Sequence, residues 1–243
     1  MITIVSAYAD LMNLYGDYAN AEALKRRLNS AGQPAEIRHI SVGNEFDLSG
    51  CDLLYIGAGT EPAMLTALKD IEKNGDQIRD YLQSGGKILA TGNAAALLAQ
   101  SISFESGETF GGLALCDYEV LITGKRRYAE YIMTTPLIER EVVGATNASI
   151  EISESASPMF AVTCCTGSWD TRTVEGYCKD GIYVTELCGP LLVRNPALLE
   201  YFAALLCGGD LPLCDDSWLA FARAGYDSVL DTLKKARGTR RKA

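Results

Sequence analysis

The chain has 243 residues, of which 48% are hydrophobic and 22% are charged, and this ordinary globular composition excludes a disordered, collagen-like or low-complexity protein. Its 22 Lys and Arg against 31 Asp and Glu give a formal net charge of −9, which disfavours a general nucleic-acid binder. No apolar run approaches the ~18 residues that a membrane helix requires, and the apolar, β-branched start at Met1–Val5 is typical of a strand rather than of a signal peptide. We therefore expect a cytoplasmic protein without a membrane span.

Strands and helices alternate in the first half of the chain. The predicted strands are Ile2–Ser6, Ala35–Ile40, Asp52–Ile56 and Lys87–Ala90. The predicted helices are one that Asp17 caps and that ends at Gly32, one from about Glu61, one over Asp76–Gln83 and one over Ala94–Gln100. Such alternation predicts an α/β fold, with a mostly parallel sheet covered by helices on both faces.

The pattern changes after Phe110, where short strand candidates follow one another with few helices between them. These candidates are Leu113–Ile122, Glu130–Met133, Ala148–Ile152, Met159–Val162, Thr173–Cys178 and Ile182–Leu187. We expect them to form an antiparallel extension of the same sheet.

Two helices close the chain, Ala197–Leu206 and Ser217–Lys235. In the second, one face carries Leu219, Ala222, Tyr226, Leu230 and Leu233. Residues 234–243 form a basic tail with six Lys or Arg and no acid, which is expected to be solvated, although it could contact an anionic partner or lipid headgroups. No linker interrupts the chain, so we predict one domain over residues 1–243.

Histidine and cysteine content limits the possible chemistry. His39 is the only imidazole, and it lies in a predicted strand, so Cys–His and Ser–His–Asp catalysis both lack an obvious base. The eight cysteines form no C-x-x-C pair, and Cys164 and Cys165 are adjacent, which argues against a metal site. Most of them are expected to be small buried apolar residues.

Three strand ends could carry chemistry, because ligands bind at the carboxyl ends of strands in open α/β sheets. The first leads into Gly57-Ala58-Gly59-Thr60, where backbone N–H groups could approach a ligand and Thr60 could cap the next helix. The second leads into Thr91-Gly92-Asn93, a turn of the kind that presents a nucleophile. The third leads into Leu187-Cys188-Gly189-Pro190.

These three loops, in this order, resemble those of type 1 glutamine amidotransferases of the CobB/CobQ-like branch, most closely the GatD subgroup of lipid II isoglutaminyl synthase subunits. The specific part is the N-terminal signature Asn13-Leu14-Tyr15-Gly16-Asp17-Tyr18-Ala19-Asn20-Ala21-Glu22-Ala23-Leu24. Tyr55–Thr60 is similar to the glycine-rich oxyanion loop of the family, and Thr185–Leu191 to the segment that carries its catalytic histidine. The resemblance covers essentially the whole chain and implies a flavodoxin-like fold.

The resemblance also implies roles for individual positions. Thr91 stands at the nucleophile position and Cys188 at the histidine position. Leu121 stands where an arginine would hold the glutamine carboxylate. The oxyanion and substrate-binding positions are Gly57, Ala58, Gly59, Thr60, Gly92 and Asn93. No cofactor or metal is implied.

Since nucleophile, base and substrate clamp are replaced together, we expect a glutaminase-deficient subunit. The resemblance implies that it docks on a Mur-ligase-like partner such as MurT, in the amidation of a peptidoglycan precursor. Two alternatives remain open at this point. One is an active enzyme that uses Cys188, Cys164 or Cys165 as nucleophile, and the other is a module that binds a small molecule in the same crevice.

Overall fold

The computed structural model describes residues 1–167, 171–209, 211–212 and 217–240, with side chains described up to residue 236. A six-stranded sheet forms its centre, in the order β11-β12-β4-β3-β1-β2. Its strands are β1 (Ile2–Ala7), β2 (Ala35–Ile40), β3 (Leu53–Ile56), β4 (Ile88–Thr91), β11 (Tyr177–Lys179) and β12 (Ile182–Thr185). All neighbours are parallel except β11, which pairs antiparallel with β12. The predicted parallel α/β sheet is confirmed.

Helices cover both faces of this sheet, because successive buried side chains of each strand point to opposite sides. Leu54 and Ile56 pack with α2 (Glu61–Ile71), α3 (Gly75–Gln83) and α4 (Ala95–Leu98). Leu53 and Tyr55 pack on the other side with α1 (Ala19–Ser30), α5 (Leu191–Arg194) and α6 (Pro196–Leu206). The predicted helix over Ala94–Gln100 is only four residues long, since the chain re-enters a strand at Ser101.

Strands β5 to β10 build a second sheet, in the order β10-β9-β7-β5-β6, with β8 also paired to β7. These strands are β5 (Ser101–Phe104), β6 (Thr109–Gly111), β7 (Val120–Thr135), β8 (Ile138–Ile152), β9 (Phe160–Cys165) and β10 (Val174–Glu175). The expected antiparallel extension of the first sheet is therefore wrong in its attachment: of these later strands only β11 and β12 join the first sheet, β11 antiparallel to β12 and β12 parallel to β4. Strand β7 contains the expected strand Glu130–Met133 but only the last three residues of the expected strand Leu113–Ile122. It forms a long hairpin with β8.

Helix α7 (Ser217–Arg240) closes the chain. Leu219, Tyr226 and Leu233 are buried and Ala222 and Leu230 are half-buried, which confirms the predicted apolar face. Among the described residues, no helix is both long enough and apolar enough to cross a lipid bilayer.

The histidine and the cysteines take structural positions. His39 is exposed on β2, at the edge of the first sheet. Seven cysteines lie within the described residues and all are free, but only Cys116 is fully buried, so the expectation of mostly buried cysteines is wrong. Cys214 lies outside the described residues. No group of three or more His, Cys, Asp or Glu in the described ranges is placed to hold a metal ion.

Candidate functional site

A crevice lies where the carboxyl ends of β3, β4 and β12 meet. These three strands are neighbours in register, with Ile56 beside Ala90 and Thr91 beside Thr185. The loops that follow them therefore converge, as the sequence predicts. Ala58, Gly92 and Cys188 come from one loop each, and all three line the crevice.

Thr91 does not face this crevice. It is the last residue of β4, with extended backbone angles (φ −123°, ψ 149°), and it is fully buried. Its hydroxyl donates a hydrogen bond to Asp17 Oδ2 at 2.8 Å and lies 3.0 Å from the Tyr55 hydroxyl. The side chain expected at the nucleophile position is therefore part of a buried polar network beneath the loops.

Gly92, the residue after Thr91, does line the crevice, as does Asn93. The φ of Gly92 is +60°, a left-handed conformation that favours glycine. A Cβ built on Gly92 would lie 3.9 Å from Cys188 Cβ and only 2.5 Å from Ala58 Cβ. The Ala58 methyl group thus fills the space that a side chain at position 92 would need.

Two of the loop N–H groups expected to bind an oxyanion, those of Ala58 and Gly59, are already paired. The Ala58 N–H donates to Asp17 Oδ2 at 2.7 Å, and the Gly59 N–H donates to Asn93 Oδ1 at 2.8 Å. Asn93 Nδ2 donates in return to the Gly59 carbonyl oxygen at 2.8 Å. An incoming oxyanion would have to displace these buried side chains from their donors. Thr60 caps α2 by accepting from the Ala63 N–H, as predicted, and does not line the crevice.

The Asp17 carboxylate accepts the hydrogen bonds from Ala58 and Thr91 beneath the loops. Its expected role as a helix cap is wrong. Helix α1 follows Tyr18 without a side-chain cap, because the Asp17 carboxylate is turned into the interior toward Ala58 and Thr91. Burial raises the pKa of Asp17 to about 6, and the hydrogen bonds from Ala58 and Thr91 oppose this shift. The carboxylate is therefore mostly ionised at neutral pH.

Cys188 is half-buried at the crevice wall. Its backbone N–H and its thiol both donate to the Ala145 carbonyl oxygen, at 2.9 and 3.4 Å. Burial and then the Asp17 carboxylate raise the pKa of the Cys188 thiol above its ordinary value. Cys164 and Cys165 lie on β9 in the second sheet and do not line the crevice.

A polar cluster closes the mouth of the crevice. Arg126 donates to the Tyr15 hydroxyl at 2.6 Å and to the Asn147 carbonyl oxygen at 3.3 Å, and it lies 3.5 Å from the Glu61 carboxylate. The Ser149 hydroxyl donates to the same carboxylate and, with Arg126, lowers the pKa of Glu61. The space left for the centre of a water molecule is about 10 Å³, which suffices for roughly one water.

Arg126 lines the crevice, whereas the sequence resemblance predicts the arginine position at Leu121. Leu121 pairs with Ser103 and Glu151 inside the second sheet and does not line the crevice. The β7–β8 register shifts between Ile122 and Arg127, and this bulge re-aims the intervening residues, as bulges do. The signal in the sequence is the basic run that directly follows Thr123-Gly124.

Glu186 lines the crevice from the β12 side and lies next to a second buried carboxyl group, Glu175. Glu175 accepts hydrogen bonds from the Thr185 hydroxyl at 2.8 Å and from the Glu186 N–H at 2.6 Å. Burial, and then the Glu186 carboxylate, raise the pKa of Glu175 to about 8. Arg172 pairs with the Glu186 carboxylate. Glu175 is thus mostly protonated at neutral pH.

Comparison with known proteins agrees with this architecture. A solved structure described as a glutamine amidotransferase superposes with a TM-score of 0.55 at 18% identity, covering 84% of this chain and 98% of its own. The lipid II isoglutaminyl synthase (glutamine-hydrolyzing) subunit GatD of Streptococcus pneumoniae is 25% identical, over 81% of this chain and 77% of its own. The Staphylococcus aureus subunit of the same name is 22% identical, over 85% of this chain and 84% of its own. The model of the CobB/CobQ-like glutamine amidotransferase domain matches residues 3–189, and the chain belongs to this family.

Proposed function

We propose that this protein is a GatD-like subunit without glutaminase activity, which docks on a MurT-like Mur ligase and serves lipid II amidation in the cytoplasm. The observation that carries the proposal is Gly92: this residue lies at the left-handed corner of the β4 turn and lines the crevice, and it has no side chain. A glutaminase of this family needs a nucleophile there, and we assign the nucleophile position to Gly92 rather than to Thr91.

A catalytic base is missing as well. The single imidazole, His39, is on β2, and β1 and β3 separate it from β4. Three strand spacings amount to about 14 Å, beyond the hydrogen-bond reach that proton transfer requires. Within this chain, no imidazole could take a proton from a crevice nucleophile.

Transition-state stabilisation is opposed by the same packing. Oxyanion stabilisation needs N–H donors aimed at the position of the developing charge, whereas the Ala58 and Gly59 N–H groups donate to Asp17 and Asn93. The crevice is also too small for an amino acid. These features support loss of activity independently of the missing nucleophile.

The alternative in which a cysteine has taken over catalysis finds less support. A thiolate is the reactive form of cysteine, but the raised pKa of Cys188 keeps this residue a thiol at neutral pH. Cys164 and Cys165 lie on another sheet.

The partner and the pathway are supported by the relatives rather than by the crevice. Both curated relatives are described as subunits of lipid II isoglutaminyl synthase, and subunits act in complexes. The N-terminal signature that resembles theirs is used here for internal contacts: Asn20 accepts from the Leu192 N–H and donates to the Tyr55 hydroxyl. We propose that the chain keeps this framework as a scaffold for its ligase partner.

The experiment is a glutamate-release assay on the co-expressed complex, with the Staphylococcus aureus complex as positive control. We expect no glutamate above buffer with glutamine, and lipid II amidation only when ammonium chloride is supplied. Glutamine-dependent glutamate release that Cys188→Ser abolishes would favour the cysteine alternative. Failure of the two chains to co-purify at micromolar concentration would remove the docking part alone.

A further inference from the structure

Helix α7 leaves one flank uncovered. Phe221 is 80% exposed, the highest value of any large apolar side chain within the described residues apart from the N-terminal Met1, and Val229 on the same helix is 41% exposed. Between them runs an apolar groove of about 430 Å³, which Trp218 and Gly225 line from α7 and Val143 lines from β8. Burying this surface would be favourable.

Positive charge is concentrated at the C-terminal end of the sequence, in a stretch that begins within α7. Of the 22 Lys and Arg, six fall within residues 234–243, where there is no acid; the other 16 face 31 Asp and Glu in the rest of the chain. Phe221 precedes the first of these cations, Lys234, by 13 residues, which is about 20 Å along a helix. One element thus combines an apolar flank with a strongly basic end.

The crevice does not explain this element. The family match ends at residue 189, and α7 contributes no residue to the crevice lining. Its buried residues Leu219, Tyr226 and Leu233 pack in the core clusters of the protein, and Phe221 and Val229 belong to neither of these clusters.

We infer that α7 is a membrane-surface element, which places its Phe221–Val229 flank and its basic tail against an anionic lipid leaflet. Amphipathic helices with aromatic side chains on one flank and with Lys and Arg lie in the headgroup region in this way. Each cation near an anionic leaflet contributes ~1 kcal/mol, which is about a fivefold gain in partitioning. The acidic body is repelled by the same surface, so the tail orients the protein.

A lipid surface fits these observations better than a protein partner on the same flank. The tail is a run of like charges with no acid between them, and clusters of this kind are attracted to the diffuse negative surface of an anionic leaflet. The inference stands apart from the proposed function, because it holds whether or not the crevice hydrolyses glutamine.

The test is co-sedimentation of the full chain with vesicles of pure phosphatidylcholine and of phosphatidylcholine with 30% phosphatidylglycerol, at low and high salt. We expect binding only to the anionic vesicles, lost at high salt. Replacing Arg237, Arg240, Arg241 and Lys242 by Gln should weaken partitioning roughly a hundredfold or more, given about fivefold for each charge.

The apolar flank is tested separately with Phe221→Ser, matched to Phe110→Ser, which removes a 41% exposed phenylalanine elsewhere. Because Phe221 makes no core contact, the variant should fold normally and bind anionic vesicles severalfold more weakly, while Phe110→Ser binds like the parent. Equal binding to neutral vesicles, equal loss in both variants, or no vesicle binding together with a Phe221-dependent dimer in light scattering would each overturn the inference.

Discussion

The Thr91 hydroxyl donates a 2.8 Å hydrogen bond to the buried Asp17 carboxylate, which in turn accepts from the Ala58 N–H. One carboxylate therefore fixes both the end of β4 and the glycine-rich loop. Because Asp17 is in the N-terminal signature, this contact ties three segments of the chain together beneath the crevice.

This contact predicts a stability effect without a catalytic one. Thr91→Val keeps the shape of the side chain but leaves the buried carboxylate short of one donor, which should cost about 1–3 kcal/mol of unfolding free energy. Urea denaturation measures it, with Thr91→Ser as the control that retains the hydroxyl. A Thr91→Val protein as stable as the parent would contradict this role.

Rebuilding a glutaminase should require Gly92, not Thr91. Thr91→Cys with Cys188→His should stay inactive, because position 91 faces Asp17. Gly92→Cys alone should be poorly stable, since its Cβ would lie 2.5 Å from that of Ala58 and a non-glycine residue in the left-handed region costs about 1–2 kcal/mol.

Adding Ala58→Gly should relieve the clash, and adding Asn93→Gly and Cys188→His should free the Gly59 N–H and supply an imidazole. We expect weak glutamate release only in this four-residue variant, because catalysis depends on positioning within about an ångström. Release by the Thr91→Cys, Cys188→His pair, measured in the same coupled assay, would show that our assignment of the nucleophile position is wrong.

The closed mouth of the crevice predicts that amino acids do not bind. In a thermal-shift titration, millimolar glutamine or glutamate should leave the melting temperature of the parent unchanged. Glu61→Gln should loosen the Arg126 contact and allow a carboxylate ligand to compete, giving a positive shift that Arg126→Gln abolishes. A rise in the melting temperature of the parent would favour the alternative hypothesis that the protein is a small-molecule binding module.

The buried carboxyl of Glu175 predicts a pH dependence. Its pKa is raised from 4.5 to about 8, so the folded state holds a proton that the unfolded state releases. Stability should therefore fall as pH rises from about 5 to 8, by at most ~1.4 kcal/mol per pH unit. Glu175→Gln should flatten this slope in melting curves, and the exposed control Glu154→Gln should not. If the slope of stability against pH is unchanged in Glu175→Gln, the pH dependence does not come from the raised pKa of Glu175.

The first half of the fold could be predicted from the sequence because its signals are local. Strand Ile2–Ala7 and the alternation that follows it depend on periodicity over a few residues. The long β7–β8 hairpin could not be predicted in this way, because its pairing and its bulge depend on the register between distant segments. The position of Arg126 at the crevice depends on the same bulge and was missed for the same reason.

The candidate site, too, could be predicted from the sequence only in part, because side-chain orientation depends on contacts between distant segments. Periodicity locates the turn after β4 but does not tell which of two consecutive residues faces the crevice, and the left-handed φ of Gly92 settles that only in three dimensions. Asp17 has the sequence context of a helix cap, yet a contact across 74 positions, with Thr91, decides its orientation.

The most direct test of the central claim is intact-mass spectrometry of the ligase complex after incubation with a diazo-ketone analogue of glutamine, which alkylates the nucleophile of an active glutaminase. The Staphylococcus aureus complex serves as the positive control, and excess glutamine identifies labelling at the active site. We predict no glutamine-protectable adduct on this chain, because the crevice presents Gly92 and a protonated Cys188. A stoichiometric, glutamine-protected adduct on any residue of this chain would contradict the account.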